Sequence, residues 1–135
     1  LDAAPLESHH THFFLVPGNQ WGDESAWIAD IASRIAKGLP TVTVLINGGD
    51  ITWKDATKSV EAGRPIVAVA GSGRAADVLV DALAGKVTDK RADRILASGL
   101  LQAVSLENDA ALADAVQRIL SGRQPINHSS TSAVL

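Results

Sequence analysis

The sequence has no cysteine, no methionine and no tyrosine, and aromatic residues make up only 4% of it. Without cysteine this chain can form no disulfide, thiolate nucleophile or thiolate metal site. The absence of cysteine fits a reducing compartment, and we expect a cytoplasmic protein. With so few aromatic residues the core has to consist of valine, isoleucine, leucine and alanine, a composition that suits parallel strands covered by helices.

Long apolar runs and dense basic clusters are also missing from the sequence. No stretch approaches the roughly 20 apolar residues that a membrane span needs. The formal net charge is −3, whereas duplex nucleic acid and anionic membranes both attract a dense basic surface. We therefore expect no duplex nucleic acid as a partner and no direct membrane insertion.

At 135 residues the chain has the length of one domain. Apolar runs with strand character alternate with segments of helical periodicity. Strands are predicted at residues 12–16, 41–46, 66–70 and 100–106. Helices are predicted from a cap at Asp23 or Ser25 to residue 37, from Asp50 or Thr52 to residue 62, and at 74–83, 86–97 and 109–120, the last capped by Asn108 or Asp109. Helical periodicity places Trp53, Ala56 and Val60 on one face of the second helix, and Ala75, Val78, Leu79 and Ala82 on the inner face of the third. This alternation predicts an α/β fold, a Rossmann-like three-layer sandwich with a mainly parallel sheet. Residues 1–123 would form this single domain, and 124–135 a flexible tail.

The strongest local motif is Gly71-Ser72-Gly73-Arg74, which follows an apolar strand and opens a helix. Glycines there allow a tight turn and let an anion approach the backbone. The free N–H groups of the first helical turn are expected to face the ligand. Arg74 adds a fork of donors suited to phosphate, and the Ser72 hydroxyl can donate one further hydrogen bond. No acidic residue ends a strand about 20 residues later, so ordinary Rossmann binding of NAD is disfavoured.

Two other predicted strands also run into glycines. Gly18 follows the first strand, and Gly48 and Gly49 follow the second. In a parallel sheet these loops should converge at the carboxyl edge, where ligands bind. Asn47 or Asp50 could then bond ribose hydroxyls, although this loop taken alone is better explained as a turn with Asp50 as the N-cap of the next helix.

The remaining polar residues indicate no catalytic or metal site. His9, His10 and His12 lie in an extended segment where His9 points away from the other two, so we predict no metal site. The four basic residues Lys86, Lys90, Arg91 and Arg94 are balanced by acids at helical spacing and predict a solvated face. No nucleophile elbow, Walker A motif or zinc pair is present, and no catalytic residue or cofactor is predicted.

Taken in order, three motifs resemble those of the SLOG superfamily. They are His12 with its apolar run, Gly48-Gly49, and the Gly71–Arg74 loop with Ala76, Asp77 and Leu79 behind it. The resemblance is closest to the branch found in the amino-terminal cytosolic region of TRPM channels and in stand-alone bacterial relatives. It covers about residues 6–85.

The resemblance implies a Rossmann-like domain that binds nucleotide-derived ligands such as ADP-ribose or NAD-related molecules. It assigns Arg74 to a ligand phosphate, and a helix arginine of the family is matched loosely by Arg34. It also implies that the first strand of the family's sheet, with the glycine-rich loop that follows it, precedes the matching residues 6–85. The hydrolase branch of the superfamily carries a P-G-G-x-G-T-x-x-E signature, and the matching segment, residues 47–52, lacks its catalytic glutamate.

Three functions follow as alternatives. The leading one is a sensor that binds a nucleotide-derived small molecule and reports it to a fused or neighbouring effector. The second is an N-glycosidic hydrolase of nucleotides with Glu24, Asp23 or Asp50 as base. The third is a structural domain that forms homo-oligomers and uses its glycines only for turns.

Overall fold

The protein is described from a computed structural model, which covers residues 5–122. Its elements are α1 (Ser25–Ala36), β1 (Thr43–Leu45), α2 (Asp50–Glu61), β2 (Ile66–Ala70), α3 (Arg74–Leu83), α4 (Asp93–Ala97), β3 (Leu101–Ser105) and α5 (Asp109–Leu120). The three strands form one parallel sheet in the order β1-β2-β3. This arrangement confirms the predicted Rossmann-like α/β fold. The tail predicted at 124–135 lies outside the described residues.

The central strand β2 determines where the core lies, because its side chains are apolar on both faces. Ile66, Val67 and Ala68 are fully buried and Val69 is 2% exposed. Ile66 and Ala68 join a cluster with α2, α3 and α4. Alternate residues of a strand point to opposite faces, and α5, which packs against β2 and β3, buries Ala115 completely. Helices therefore cover both faces of the sheet.

The helical periodicity correctly identified the buried faces of α2 and α3. Trp53, Ala56 and Val60 of α2 are buried, as are Ala75 and Leu79 of α3. The last helix is also capped as the sequence suggests, since Asn108 Oδ1 accepts a hydrogen bond from the Ala111 N–H at 3.1 Å. Such a cap satisfies one of the amides that a helix start leaves without a partner.

One buried arginine holds α1 against the sheet. Arg64 is 4% exposed and lies two residues before the start of β2. Its Nη2 donates to the Ala29 carbonyl oxygen at 3.0 Å and to Ser33 Oγ at 2.9 Å, and its Nε donates to Thr41 Oγ1 at 3.1 Å. Because a buried cation is costly unless its donors are satisfied, these bonds place the second half of α1 beside the amino end of β2.

Three element predictions were wrong in whole or in part. Residues 12–16 do not form a strand, and Phe13, Phe14 and Leu15 are exposed. Strand 41–46 is reduced to β1, which lies at the sheet edge, so Val44 is exposed. A strand exists only where a neighbour supplies hydrogen-bond partners, and local apolarity cannot predict that neighbour.

The helix predicted at 86–97 is the third correction, because only its last part, α4, is helical. Asp89 Oδ1 accepts hydrogen bonds from the backbone N–H of Arg91 at 2.9 Å and from its Nε at 3.1 Å. Such local bonds from an aspartate side chain compete with helix formation and favour a turn. Among residues 5–122, no helix is long and apolar enough to cross a membrane.

The core cluster predicts the effect of shortening Leu79, which is fully buried. Leu79→Ala should lower the free energy of unfolding by about 2–5 kcal/mol, because it removes apolar contacts and leaves a cavity. Urea denaturation measures this change. Leu83→Ala in the same helix is the matched control, since Leu83 is 44% exposed. Equal losses of unfolding free energy in the two variants would contradict the position of the core.

Candidate functional site

The glycine loops that follow β1 and β2 are hydrogen-bonded to each other through Asn47 and Ser72. The Asn47 backbone N–H donates to Ser72 Oγ at 2.8 Å, and Asn47 Nδ2 donates to the Ser72 carbonyl oxygen at 2.7 Å. The Ser72 hydroxyl in turn donates to the Val69 carbonyl oxygen at 2.6 Å. The two N–H donors of Asn47 therefore hold the loops together. The Ser72 hydroxyl hydrogen is used within its own strand and loop and is not directed at solvent.

The loop after β1 also supplies hydrogen-bond acceptors for the first amides of α3. The Asn47 carbonyl oxygen accepts from the Ala76 N–H at 3.0 Å, and the Gly48 carbonyl oxygen accepts from the Ala75 N–H at 3.3 Å. On the loop itself, the Gly71 N–H donates to Asp77 Oδ1 at 2.7 Å. The expectation that the first turn of α3 offers these free amides to a ligand is therefore wrong, because the loop after β1 already supplies acceptors for them.

The first turn of α2 differs from that of α3. Its N-cap, Gly49, has no side chain, and no side chain caps the helix. The N–H groups of Asp50, Ile51 and Thr52 cannot find acceptors within the helix. Within residues 5–122 they have no backbone acceptor outside it either. This turn therefore presents free donors together with the positive end of the helix dipole.

Arg74 extends from α3 to this turn of α2. A methyl group placed on Gly49 would lie 2.8 Å from Arg74 Nη2, so only glycine leaves room for the guanidinium in its present position. The Arg74 side chain is exposed, and among residues 5–122 it has neither a hydrogen bond nor an ion pair. A cation without a partner thus lies beside uncapped backbone donors, which is an arrangement suited to an anion.

The backbone of Arg74 is held in an unfavourable conformation. Its φ is +52°, and the preceding Gly73 has φ +94°. A residue with a Cβ in the left-handed region costs of order 1–3 kcal/mol and persists only where the surrounding structure enforces it. Here the next two amides, those of Ala75 and Ala76, donate to the carbonyl oxygens of Gly48 and Asn47 and fix the chain on the other side of Arg74. Such strain is concentrated at functional sites.

Two charged side chains flank the same turn. Asp50 is the first residue of α2, and its side chain is 99% exposed. Arg91 Nη1 lies 3.5 Å from Asp50 Oδ1, and the Arg91 guanidinium stacks 4.4 Å from the centre of the Trp53 ring. Hydrogen bonds from the Arg91 side chain and backbone hold the pKa of Asp89 below its ordinary value.

Arg91 is part of the site although its sequence pattern predicts only a solvated face shared with the other basic residues of the cluster. Its position depends on how residues 86–92 fold back over α2, which no local motif encodes. Trp53, which periodicity correctly assigned to the core, was the one signal that a cation could stack near the start of α2.

The loop that contains Gly18 contacts α2 through Gly22 and not through Gly18. A methyl group on Gly18 would contact Asp23, whose Oδ2 accepts the backbone N–H groups of Asn19 at 3.0 Å and Gln20 at 3.1 Å. Gly22 packs against Lys54 and Ile51. The structure thus joins Gly48, Gly49, Gly71, Ser72, Gly73 and Arg74, whereas the nearest neighbours of Gly18 all belong to Asp23.

The other candidate residues have different contacts. Arg34 Nε donates to Asp30 at 2.8 Å on its own helix, which raises the pKa of the guanidinium. His9 and His10 both contact the exposed Glu7 carboxylate. In the part of the chain from 5 to 122, no three histidine or acidic side chains are grouped to hold a metal ion.

A cavity of about 650 Å³ lies at the amino ends of the strands, lined among others by Pro40, Thr41, Pro65 and Leu100. It is open and sits at the sheet edge opposite the glycine loops. In α/β sheets the ligand site forms beyond the carboxyl ends of the strands. We therefore take the first turn of α2, with Arg74, as the candidate site.

The bonds to Asp23 predict a pH dependence for the loop at 17–24. Backbone hydrogen bonds from Asn19 and Gln20 lower the pKa of Asp23 from its ordinary 3.8. The stability they contribute is therefore complete above pH 3.8 and is lost as the pH falls through the lower, folded-state pKa. The midpoint temperature of thermal unfolding should be higher for wild type than for Asp23→Asn at neutral pH. The two midpoints should converge in acid. A difference that stays constant down to pH 2 would contradict this role.

No curated protein matches the chain, whereas one protein family does. A family model described as "SLOG in TRPM, prokaryote" matches residues 1–114, which include every element up to the first half of α5. It confirms the resemblance carried by the histidine segment, the double glycine and the Gly71–Arg74 loop. The chain belongs to this prokaryotic family of SLOG domains related to TRPM channels.

Proposed function

We propose that the protein is a ligand sensor that binds a nucleotide-derived small molecule, ADP-ribose or an NAD-related compound, through its phosphate groups. Membership of the SLOG family suggests a module for nucleotide-related ligands. The observation that carries the proposal is the unpaired Arg74 guanidinium beside the uncapped start of α2. The sensor would act in the bacterial cytoplasm and report to a fused or neighbouring effector.

In this proposal one phosphate binds at the first turn of α2. The amides of Asp50 and Ile51 donate to its oxygens, and the Arg74 guanidinium donates from the opposite side. Hydrogen bonds with an ionised partner contribute about 1.5–3 kcal/mol each, more than neutral ones. Gly49 has a steric role, since a side chain there would occupy the space that the Arg74 guanidinium needs. Gly48 has φ +104°, and a methyl group on it would collide with Thr52 in the first turn of α2.

In this proposal the Asp50 carboxylate binds the ribose of the ligand. Both polar groups of the Asn47 side chain are in use, because Nδ2 donates to Ser72 and Oδ1 accepts from the Gly48 N–H at 2.8 Å. The Asp50 carboxylate has no backbone donor among its described contacts and is 99% exposed. A carboxylate that accepts two ribose hydroxyls fits this position, as acidic residues do in other Rossmann-like sites.

The geometry supports binding better than hydrolysis. A general base needs a pKa near the working pH, whereas hydrogen bonds from two backbone amides lower the pKa of Asp23. Glu24 Oε2 accepts the Gly22 N–H at 2.8 Å and belongs to the loop before α1. The Asp50 side chain is 99% exposed and lies 3.5 Å from Arg91 Nη1. We therefore propose a sensor.

Removing the Arg74 guanidinium should weaken binding while leaving the fold intact. Arg74→Ala is expected to reduce the affinity for ADP-ribose about 10- to 100-fold, the equivalent of one or two charge-assisted hydrogen bonds. Isothermal titration calorimetry with ADP-ribose, NAD and AMP measures this. The proposal fails if none of the three binds below millimolar concentration, or if Arg74→Ala binds as well as wild type.

The matched control is Arg118→Ala. Arg118 is an exposed arginine on α5, far along the chain from both glycine loops, and its loss changes the net charge by the same amount. It should bind like wild type. If both variants lost affinity equally, the effect of Arg74 would be one of net charge and not of a site.

Gly49→Ala tests the position of Arg74 without removing its charge. Gly49 has φ −104°, which alanine adopts freely, so the added methyl group should displace the flexible guanidinium and not the backbone. Affinity should fall in the wild-type background but show no further loss in the Arg74→Ala background. Titration of both single variants and the double variant measures this coupling. Additive losses would show that Gly49 acts independently of Arg74.

A further inference from the structure

Two neighbouring arginines contact α2 at its opposite ends. Arg91 Nη1 lies 3.5 Å from Oδ1 of Asp50, the residue that opens the helix. Arg94 Nη1 lies 2.8 Å from Oε1 of Glu61, the residue that ends it. The Asp50 end carries the uncapped turn of the candidate site. Of the two arginines, Arg91 is therefore the one that borders this site.

The Arg91 guanidinium is held in one direction by two fixed groups. Its Nε and Nη2 donate to the two carboxylate oxygens of Asp89, at 3.1 and 2.8 Å. Its face lies 4.4 Å from the centre of the ring of Trp53, which is only 6% exposed. Bidentate pairing and stacking on an aromatic ring orient a guanidinium more tightly than a single ion pair does. The remaining nitrogen, Nη1, is the one beside Asp50.

The charges around Arg91 decide between two roles for it. One guanidinium lies between two carboxylates, those of Asp50 and Asp89, so the three groups together carry a formal charge of −1. A ligand phosphate would meet this negative charge and would have to displace Asp50 from Nη1. Positioning of Asp50 requires no displacement. Within residues 5–122 Arg91 is the only ion-pair partner of the Asp50 carboxylate, whose side chain is 99% exposed.

We infer that Arg91 is a positioning residue, which holds the Asp50 carboxylate where it accepts the hydroxyls of a ligand ribose. The site then selects nucleotides whose ribose hydroxyls are free and disfavours those that carry a 2′-phosphate. This inference rests on the proposed function and adds to it the class of ribose that the site accepts. In Rossmann-like sites an acid binds the 2′-hydroxyl, whereas an arginine nearby accommodates a 2′-phosphate. Here the two residues are paired with each other, and the acid is the more exposed of the two.

A change of ribose preference in Asp50→Ala tests this arrangement. Wild type should bind AMP about tenfold more tightly than adenosine 2′,5′-bisphosphate, as measured by isothermal titration calorimetry. Asp50→Ala leaves Arg91 Nη1 without its carboxylate, so the preference should reverse and the bisphosphate should bind at least about threefold more tightly than AMP. In Asp50→Ala/Arg91→Ala the reversal should disappear, because the nitrogen that binds the 2′-phosphate is gone. A purely structural role of Arg91 predicts no reversal.

Arg91→Ala tests the positioning itself. Wild type should bind AMP about tenfold more tightly than 2′,3′-dideoxy-AMP, which lacks both hydroxyls. This ratio should fall to about threefold in Arg91→Ala, since an exposed ion pair has a modest effect on its carboxylate, and to about one in Asp50→Ala. The matched control is Arg94→Ala, which removes the same charge three residues away and leaves the Asp50 contact in place. It should keep the wild-type ratio.

Two results would overturn the inference. One is a preference for AMP over the bisphosphate that does not reverse in Asp50→Ala. The other is a hydroxyl ratio that Arg91→Ala and Arg94→Ala change equally or not at all. If AMP binding still depends on Arg74 in either case, the proposed function stands and only the role of Arg91 fails. If AMP does not bind below millimolar concentration, the proposed function fails and this inference fails with it.

Discussion

The contact between Asn47 and Ser72 is the interaction on which the rest of the site depends. It joins two loops that the sheet brings to the same edge, and it leaves both with fixed backbones. The Asn47 and Gly48 carbonyl groups then cap α3, so the start of that helix is determined by residues that precede it by more than 25 positions. These bonds fix the backbone at Arg74, whereas its side chain makes no hydrogen bond or ion pair within residues 5–122.

The consequence is a division of roles between the two glycine loops. The loop with the stronger sequence motif, Gly71–Arg74, forms hydrogen bonds mainly within the protein. Only its Arg74 guanidinium extends to the proposed anion site. The loop with the weaker motif, Gly48-Gly49, keeps the uncapped helix start. An anion would therefore lie over α2 while being held from α3, and its position depends on the distance between the two helices.

Much of this architecture could be read from the sequence, for reasons specific to particular segments. The strand Ile66–Ala70 and the helix Arg74–Leu83 were predicted with their observed bounds, because an uninterrupted apolar run met a glycine turn and a clear helical period. Asn108 was recognisable as a cap since capping is a local interaction. Burial of Trp53 and Leu79 followed from periodicity alone.

Other features depend on groups that are distant in sequence. The occupied amides of Ala75 and Ala76 could not be foreseen, because nothing near them encodes the acceptors on Asn47 and Gly48. The contact of Arg91 with Trp53 depends on a turn at Asp89 that replaced an expected helix. The unpaired state of residues 12–16 depends on which strand lies beside them, and that is a property of the whole sheet.

The left-handed backbone of Arg74 has a consequence for protein engineering. Glycine is the residue that best tolerates this conformation, so a search for greater thermal stability would favour glycine at position 74. Such a search would favour the fold at the expense of the Arg74 guanidinium, which the proposed anion site needs. Under the proposed function, stability and ligand binding therefore favour different residues at this position.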